Sequence, residues 1–188
     1  MAANKSTITF DVHDCKVYSV TADTGAGLTY GSAVDVPGIQ EVSLEPNFVT
    51  AEIKGDGGKV LAKKGKIDRL NFSATYSEMS LDVLAVIFGG SVAAAGTGAS
   101  ETATYEWDSQ SLPYFKVEFL VSDLEADLAE LAVTLNKCQV TGGTIFNGST
   151  DNFGNPSFDA ESILPIYGGA SAKFGKVQFR ELASGLSA

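Results

Sequence analysis

A chain of 188 residues with 44% hydrophobic and 19% charged side chains has enough apolar surface for one folded domain, which excludes disorder for its bulk. Its net charge of −10 excludes a nucleic-acid or anionic-membrane binder of the usual basic kind, because phosphates meet a repelling field. No apolar run is long enough to span a bilayer, and residues 1–6 lack the apolar centre of a secretory signal. Met1 leads to the expectation of a complete cytoplasmic product, with Cys15 and Cys138 as reduced, packed thiols and a single long-range bridge as the alternative.

Twenty glycines and few helix-favouring runs tilt the class toward β. Residues 15–22, with Val17 and Tyr18, favour an extended strand. Residues 23–27 are turn chemistry, and 28–36 are a short, glycine-broken strand ended by Pro37-Gly38. Residues 39–45 set Val42 and Leu44 against Glu41, Ser43 and Glu45. Residues 48–54 set Val49, Ala51 and Ile53 against Thr50, Glu52 and Lys54. Gly55-Asp56-Gly57-Gly58 is a strong hairpin signal, followed by a lysine-rich strand over 59–66.

From 67 to 77, Leu70, Phe72, Ala74 and Tyr76 alternate with Arg69, Asn71, Ser73 and Thr75, the period of a strand with one packed and one wet face. Short, mixed polar side chains suit a surface that something slides past better than a catalytic pocket. Ser80 is the expected N-cap of a helix over 81–88, with Asp82 near its positive end and Gly89-Gly90 as terminator. Leu81, Leu84, Ala85 and Phe88 fall at helical spacing, with Leu81, Leu84 and Phe88 the expected packing residues, and Val83 and Ile87 make the helix apolar nearly all round, so packing on two sides is expected. Residues 91–100 read as a mobile small-residue loop.

Further strands are expected over 102–108, 114–122, 128–137, 138–146, 158–167 and 173–181, with a helical turn or loop at 123–127 and a loop at 147–155. About ten strands and one helix imply a mainly β, single-domain chain over 1–188: a β-sandwich or split barrel with one flanking α-helix, and mobile loops near 55–66, 91–100 and 147–155.

No motif assembles a catalytic centre. His13-Asp14-Cys15 has two members of a cysteine-protease set, and His13 and Cys15 share a side if the strand is regular, but Asp14 then points away from His13. Gly55-Asp56-Gly57 and Gly96-Thr97-Gly98 lack the strand–loop–helix context of a nucleotide site. Asp151, Asn152, Asn155 and Asp159 lack the spacing of an EF-hand loop, and the pairs Glu41/Glu45 and Asp123/Glu125 read as acidic surface. The expectation is a non-enzyme without cofactor or metal.

Charge is patterned. Five of the thirteen basic residues, Lys54, Lys59, Lys63, Lys64 and Lys66, lie around the Gly55–Gly58 turn, while the rest of the chain is acidic. Such lysines blunt an exposed edge strand, or they dock a projecting hairpin on the acidic body of a neighbouring copy. The second arrangement is heterologous and generates rings or filaments.

These features together resemble the major tail tube protein of long-tailed bacteriophages. The resemblance rests on Val42-Ser43-Leu44, on residues 52–57, on residues 70–75 and on the 80–90 helix with its glycine stop, and covers a third to a half of the chain. It implies a structural subunit that forms stacked hexameric rings, whose inner strands join into a barrel with an acidic lumen. DNA passes through that lumen without specific binding. It also implies a place in the virion tail after assembly in the host cytoplasm, no membrane contact, and tape-measure and tail-terminator or tip proteins as partners. Under it, Glu41, Ser43, Glu45, Thr50 and Glu52 are the expected lumen lining. Arg69, Asn71, Ser73 and Thr75 face either the bore or the exterior, and Lys54, Asp56, Lys59, Lys63 and Lys64 are the expected ring–ring contact. The alternative is a non-catalytic β-sandwich binding module, carbohydrate-binding or adhesin-like, which would carry exposed clustered aromatics where this sequence has Trp107 alone.

Overall fold

The computed structural model describes residues 9–107, 111–123, 129–149, 154–168 and 171–181. Ten strands and one helix follow in order: β1 Thr9–Thr24, β2 Gly27–Asp35, β3 Ile39–Lys54, β4 Val60–Tyr76, α1 Leu81–Phe88, β5 Ser91–Ala95, β6 Thr102–Glu106, β7 Phe115–Asp123, β8 Ala129–Thr144, β9 Ser157–Ser162 and β10 Gly175–Glu181. The architecture is mainly β, with antiparallel pairing throughout and one α-helix, as expected from composition and period.

Eight strands form one sheet in the order β2-β1-β7-β8-β9-β4-β3, with β10 also paired to β8. The 16-residue β8 is the pivot. One of its edges carries β7 over Glu130 to Cys138; the other carries β10 over Ala129 to Leu135 and then β9 over Cys138 to Thr144. The sequence breaks expected inside β3 at Pro46, inside β4 at Lys66 and inside β8 at Lys137 are absent, so three pairs of expected strands are three long ones. Pro46 is tolerated because β3 is an edge strand, where one row of N–H groups has no ladder partner.

The sheet folds on itself around aromatic rings. Phe158 of β9 lies 5.7 Å from Phe72 of β4, 6.2 Å from Tyr76 and 6.1 Å from Phe115 of β7, while Phe119 is 5.7 Å from Phe72. Cys15, Val17, Val117, Leu135 and Cys138 close the core around them. Both cysteines are buried free thiols, and burial pushes each pKa up to about 12, so neither is a ready nucleophile. The ends of β1 and β3 approach without pairing, leaving a split of about 570 Å³ beside Val12, Val42, Leu44 and Val121.

The helix matches its expected bounds. The Ser80 hydroxyl accepts from the Val83 N–H at 3.4 Å, and Gly89, at φ 81°, donates to the Ala85 carbonyl at 3.1 Å. Its buried residues are Val83, Leu84 and Ile87, with Leu81 and Phe88 half-buried and Phe88 packed against the core, so the helix is covered on more than one side as its all-round apolar sequence requires. The expected loop at 91–100 is corrected: β5 pairs with β6 as a separate exposed hairpin, because Gly96 at φ 85° reverses the chain and turns the alanine run into strand. Likewise most of 55–66 is strand, since β4 begins at Val60. Of the expected 123–127 turn, Asp123 ends β7 and residues 124–127 lie outside the described residues, as do Asp151 and Asn152 of the calcium-like set.

One buried ion pair ties the ends of the fold together. Asp23 and Lys137 meet at 2.8 Å with side chains 9% and 8% exposed, and Asp23 also accepts from the backbone N–H of Ile166 and Tyr167 at 3.0 and 3.1 Å. Lys137 sits 4.1 Å from the Tyr114 ring centre. Burial raises the Asp23 pKa, but the Lys137 and backbone hydrogen bonds outweigh it, and the net shift is downward from 3.8.

Two expectations for stability arise from these contacts. Phe158→Ala removes the ring that joins β4, β7 and β9 and lowers unfolding free energy by about 3–5 kcal/mol, read from the urea midpoint. Asp23→Asn leaves Lys137 buried without its carboxylate and costs about 3 kcal/mol at neutral pH. Because the folded pKa of Asp23 is depressed, its contribution is complete above the ordinary value of 3.8 and is lost as pH falls through the lower folded value. The variant therefore loses that part of the acid dependence, and an unchanged acid limb in a pH series of urea midpoints contradicts the assignment.

Candidate conduit face and projecting arm

The face of β3, β4, β9 and β8 turned away from the core is polar. Glu41, Ser43 and Glu45 stand opposite Thr75, Ser73 and Asn71, and Asn47 opposite Arg69. On the other side of β4, Ser73 and Asn71 stand opposite Asp159 and Glu161 of β9, and Gln139 of β8 joins Glu161. Phe72, Ala74, Phe158, Ala160 and Ser162 take the inner phase of the same strands, so the alternation that builds the core also builds this surface. Ser43, Glu45, Ser73, Thr141 and Asp159 border a shallow depression of about 340 Å³ on it.

Its electrostatics have one sign. Glu41, Glu45, Asp159 and Glu161 are carboxylates, and Arg69 is the cation among them. The Arg69 guanidinium donates to Glu161 at 2.7 Å and to Asp68 at 3.0 Å, and these bonds raise its pKa. Its charge is thus consumed locally. Counting Asp68, five carboxylates oppose one guanidinium, a net of −4. A phosphate polymer near such a surface finds acceptors and no open cation, and the repulsion reaches roughly 8 Å at physiological salt.

The residues expected to line a lumen separate into two groups. Glu41, Ser43 and Glu45 lie on this face together with Asn71, Ser73 and Thr75. Thr50 and Glu52 have the parity of Val42 and Leu44, since β3 carries no bulge beyond Glu41, and so point to the opposite side of the sheet. Reading 39–45 and 48–54 as independent strands hid that phase relation. Asp159 and Glu161 join this face from β9, and the alternation Phe158-Asp159-Ala160-Glu161-Ser162 is the sequence signal for it.

Beyond Leu70 the β3–β4 hairpin loses its neighbour β9 and projects with both faces uncovered, by about 20 Å from Phe48 to Lys54. One face carries Val49, Ala51 and Ile53 with Lys66, Lys64 and Ala62; the other carries Phe48, Thr50 and Glu52 with Ile67, Gly65 and Lys63. Gly57 and Gly58 at φ 75° and 76° close the tip. Lys54, Asp56, Lys59, Lys63 and Lys64, the expected ring–ring residues, are all exposed here, and Lys63 pairs with Glu52 at 3.1 Å. Phe48, Ile53 and Leu61 are 63%, 66% and 70% exposed, an apolar content that the lysines alone did not announce.

The remaining chemistry-bearing clusters are structural. His13 bonds Ser122 at 3.1 Å on the outer face, whereas Cys15 is in the core. The bulge at Asp14, with φ 50°, separates them, which corrects the expectation that they share a side. On the outer face of β1 and β7, Lys116 pairs with Glu118 at 2.8 Å and lies 4.2 Å from the Tyr18 ring centre. Burial, followed by its hydrogen bond to Glu118, pushes the Tyr18 phenol up to about 12. Among the described residues no group of three or more His, Cys, Asp or Glu is placed to hold a metal, and no helix is long and apolar enough to cross a membrane.

No family model and no curated protein sequence matches the chain. Among solved structures, the chain is similar to the tube-terminating cap of the anti-feeding prophage, determined by cryo-EM, at 10% identity and a TM-score of 0.43 over 97% of this chain and 99% of that one. At that identity and score the likeness carries no functional inference.

Arg69 is half-exposed, so its two ion pairs contribute little to folding. Arg69→Gln is expected to leave the urea midpoint close to that of the wild type while lowering the isoelectric point. A large loss of stability in equilibrium unfolding contradicts this reading of the pair.

Proposed function

We propose that this chain is a structural, non-enzymatic subunit of a bacteriophage tail tube, assembling into stacked hexameric rings whose interior is the carboxylate-bearing face of β3, β4, β9 and β8. The observation that carries the reading is the combination of that one-signed polar face with an open sheet margin. Among the described residues β3 pairs on one side only, along all 16 residues, and β2 does the same at the other end of the sheet. Long unpaired edges of this kind are a liability in a lone molecule and a joint in an assembly, where strands of adjacent copies complete a closed barrel.

Each part then has a task. Glu41, Glu45, Asp159 and Glu161 repel phosphate, so DNA moves down the bore without sites at which to stick. Ser43, Asn71, Ser73 and Thr75 are short and leave the wall smooth. The lysine-bearing arm reaches the next ring and supplies a heterologous contact that propagates along one axis. Tape-measure and terminator or tip proteins are the further partners of such a tube, and the virion tail its place.

A second reading, a carbohydrate-binding module, is favoured by exposed Trp107 beside Tyr105, whose rings meet edge to face at 5.1 Å. Titrating soluble oligosaccharides against Trp107 fluorescence separates the two: the tube reading expects no saturable change.

The direct test is assembly and charge reversal. Purified protein is expected to show six-fold rings or hollow tubes in negative stain. Tubes of the Glu41→Lys, Glu45→Lys, Asp159→Lys variant, assembled with short duplex DNA, are expected to retain it protected from nuclease and to release it as salt rises. Wild-type tubes retain none. DNA held by the variant but fully digested places the face on the exterior and refutes the bore assignment.

A further inference from the structure

Next to the N-terminus of α1, the β5–β6 hairpin and the end of β8 leave an apolar groove of about 370 Å³ that none of the described residues fills. Met79, Leu81, Tyr105, Trp107 and Phe146 line it, with Met79, Trp107 and Phe146 exposed by 43%, 66% and 79%. A monomer that leaves three large apolar side chains open around one depression has a surface suited to a partner. We infer that this groove is the seat for the tip of the β3–β4 arm of a second copy of this chain. The inference rests on the proposed self-assembly and names the receptor that reading lacks.

Two observations choose this occupant. The first is charge. Residues 70–115 and 138–172, which supply the whole groove, contain no Lys or Arg, and Glu78, Asp82, Glu101 and Glu106 are exposed within the first of them. Residues 47–67 contain five lysines against Glu52 and Asp56, a net of +3, and present Ile53, Val60 and Leu61 at the tip. An apolar tip ringed by lysines fits an apolar groove in acidic surroundings, and the charges set its orientation.

The second is geometry. The arm tip precedes β4 and the groove comes after it: Val60 opens the strand, Tyr76 ends it, and Met79 and Leu81 come three and five residues later. Seventeen residues of extended chain hold the two about 50 Å apart along the strand, so the arm of one copy is kept from its own groove. Tip and groove at opposite ends make a head-to-tail contact that repeats with every copy added along the strand axis.

The test uses two variants that each add one cysteine at an exposed position, where folding is not at stake, in a chain whose own thiols are buried. Leu61→Cys and Phe146→Cys proteins are mixed, allowed to assemble, treated with a short bis-maleimide and run on a denaturing gel, with negative stain of the same sample. Docked copies hold the two thiols at millimolar effective concentration, so the dimer band is expected about tenfold or more above that of a control mixture of Leu61→Cys with Val177→Cys. Rings or tubes with the band at the control level overturn the seat and leave the tube standing. Dispersed monomers with the band at the control level overturn both.

Discussion

Phe158 is contributed by a six-residue strand, yet it meets rings from β4 and β7, and that contact decides the shape of everything around it. A single antiparallel sheet has two faces, and one must be buried. Here burial is achieved by folding the sheet about β8 until Phe72 and Tyr76 on one wing pack against Phe115 and Phe119 on the other through Phe158. Period-two alternation then fixes the outer surface: each residue between two core positions is turned to the opposite side. The carboxylates of β3 and β9 are therefore aligned on a common face as a consequence of the core, with no device of their own.

The same constraint leaves the margins open. β1 and β3 approach but do not pair, and among the described residues the two terminal strands keep a free row of backbone groups. A closed barrel would have used them. The arm extends that logic, since β9 covers β4 as far as Leu70 and none of the described residues covers the hairpin beyond it. Six large apolar side chains are exposed along this arm, Phe48, Val49, Ile53, Val60, Leu61 and Ile67, where isolated folding would favour polar ones. The proposed assembly gives one account of both the margins and the arm: surfaces costly in a monomer are those a neighbour covers.

Ion pairs in this chain divide by burial. Asp23–Lys137 is shielded, carries backbone donors as well, and joins the end of β1 to β8 and to the segment after β9. Arg69 with Asp68 and Glu161 is half-exposed and contributes little to folding, but it removes the open cation from an otherwise anionic surface. The pair that matters for stability and the pair that matters for the surface are thus different, and their burial tells them apart.

Local patterns were legible in the sequence because they are short-range. The cap at Ser80, the stop at Gly89, the turn at Gly57-Gly58 and the alternation from Leu70 to Tyr76 are each set by a few neighbouring residues, and each is found where residue chemistry puts it. Phase across distance was not legible. That Thr50 and Glu52 face away from Glu41 and Glu45 depends on β3 running unbroken through Pro46, and that His13 and Cys15 part depends on a bulge at Asp14; both are settled by pairing with strands remote in sequence. Asp159 and Glu161 join Glu45 and Ser73, and Phe146 joins Trp107 and Met79, through contacts between segments far apart in the chain. Composition and period determine which residues seek burial, but the partners each surface residue stands beside are chosen by the global closure of the sheet.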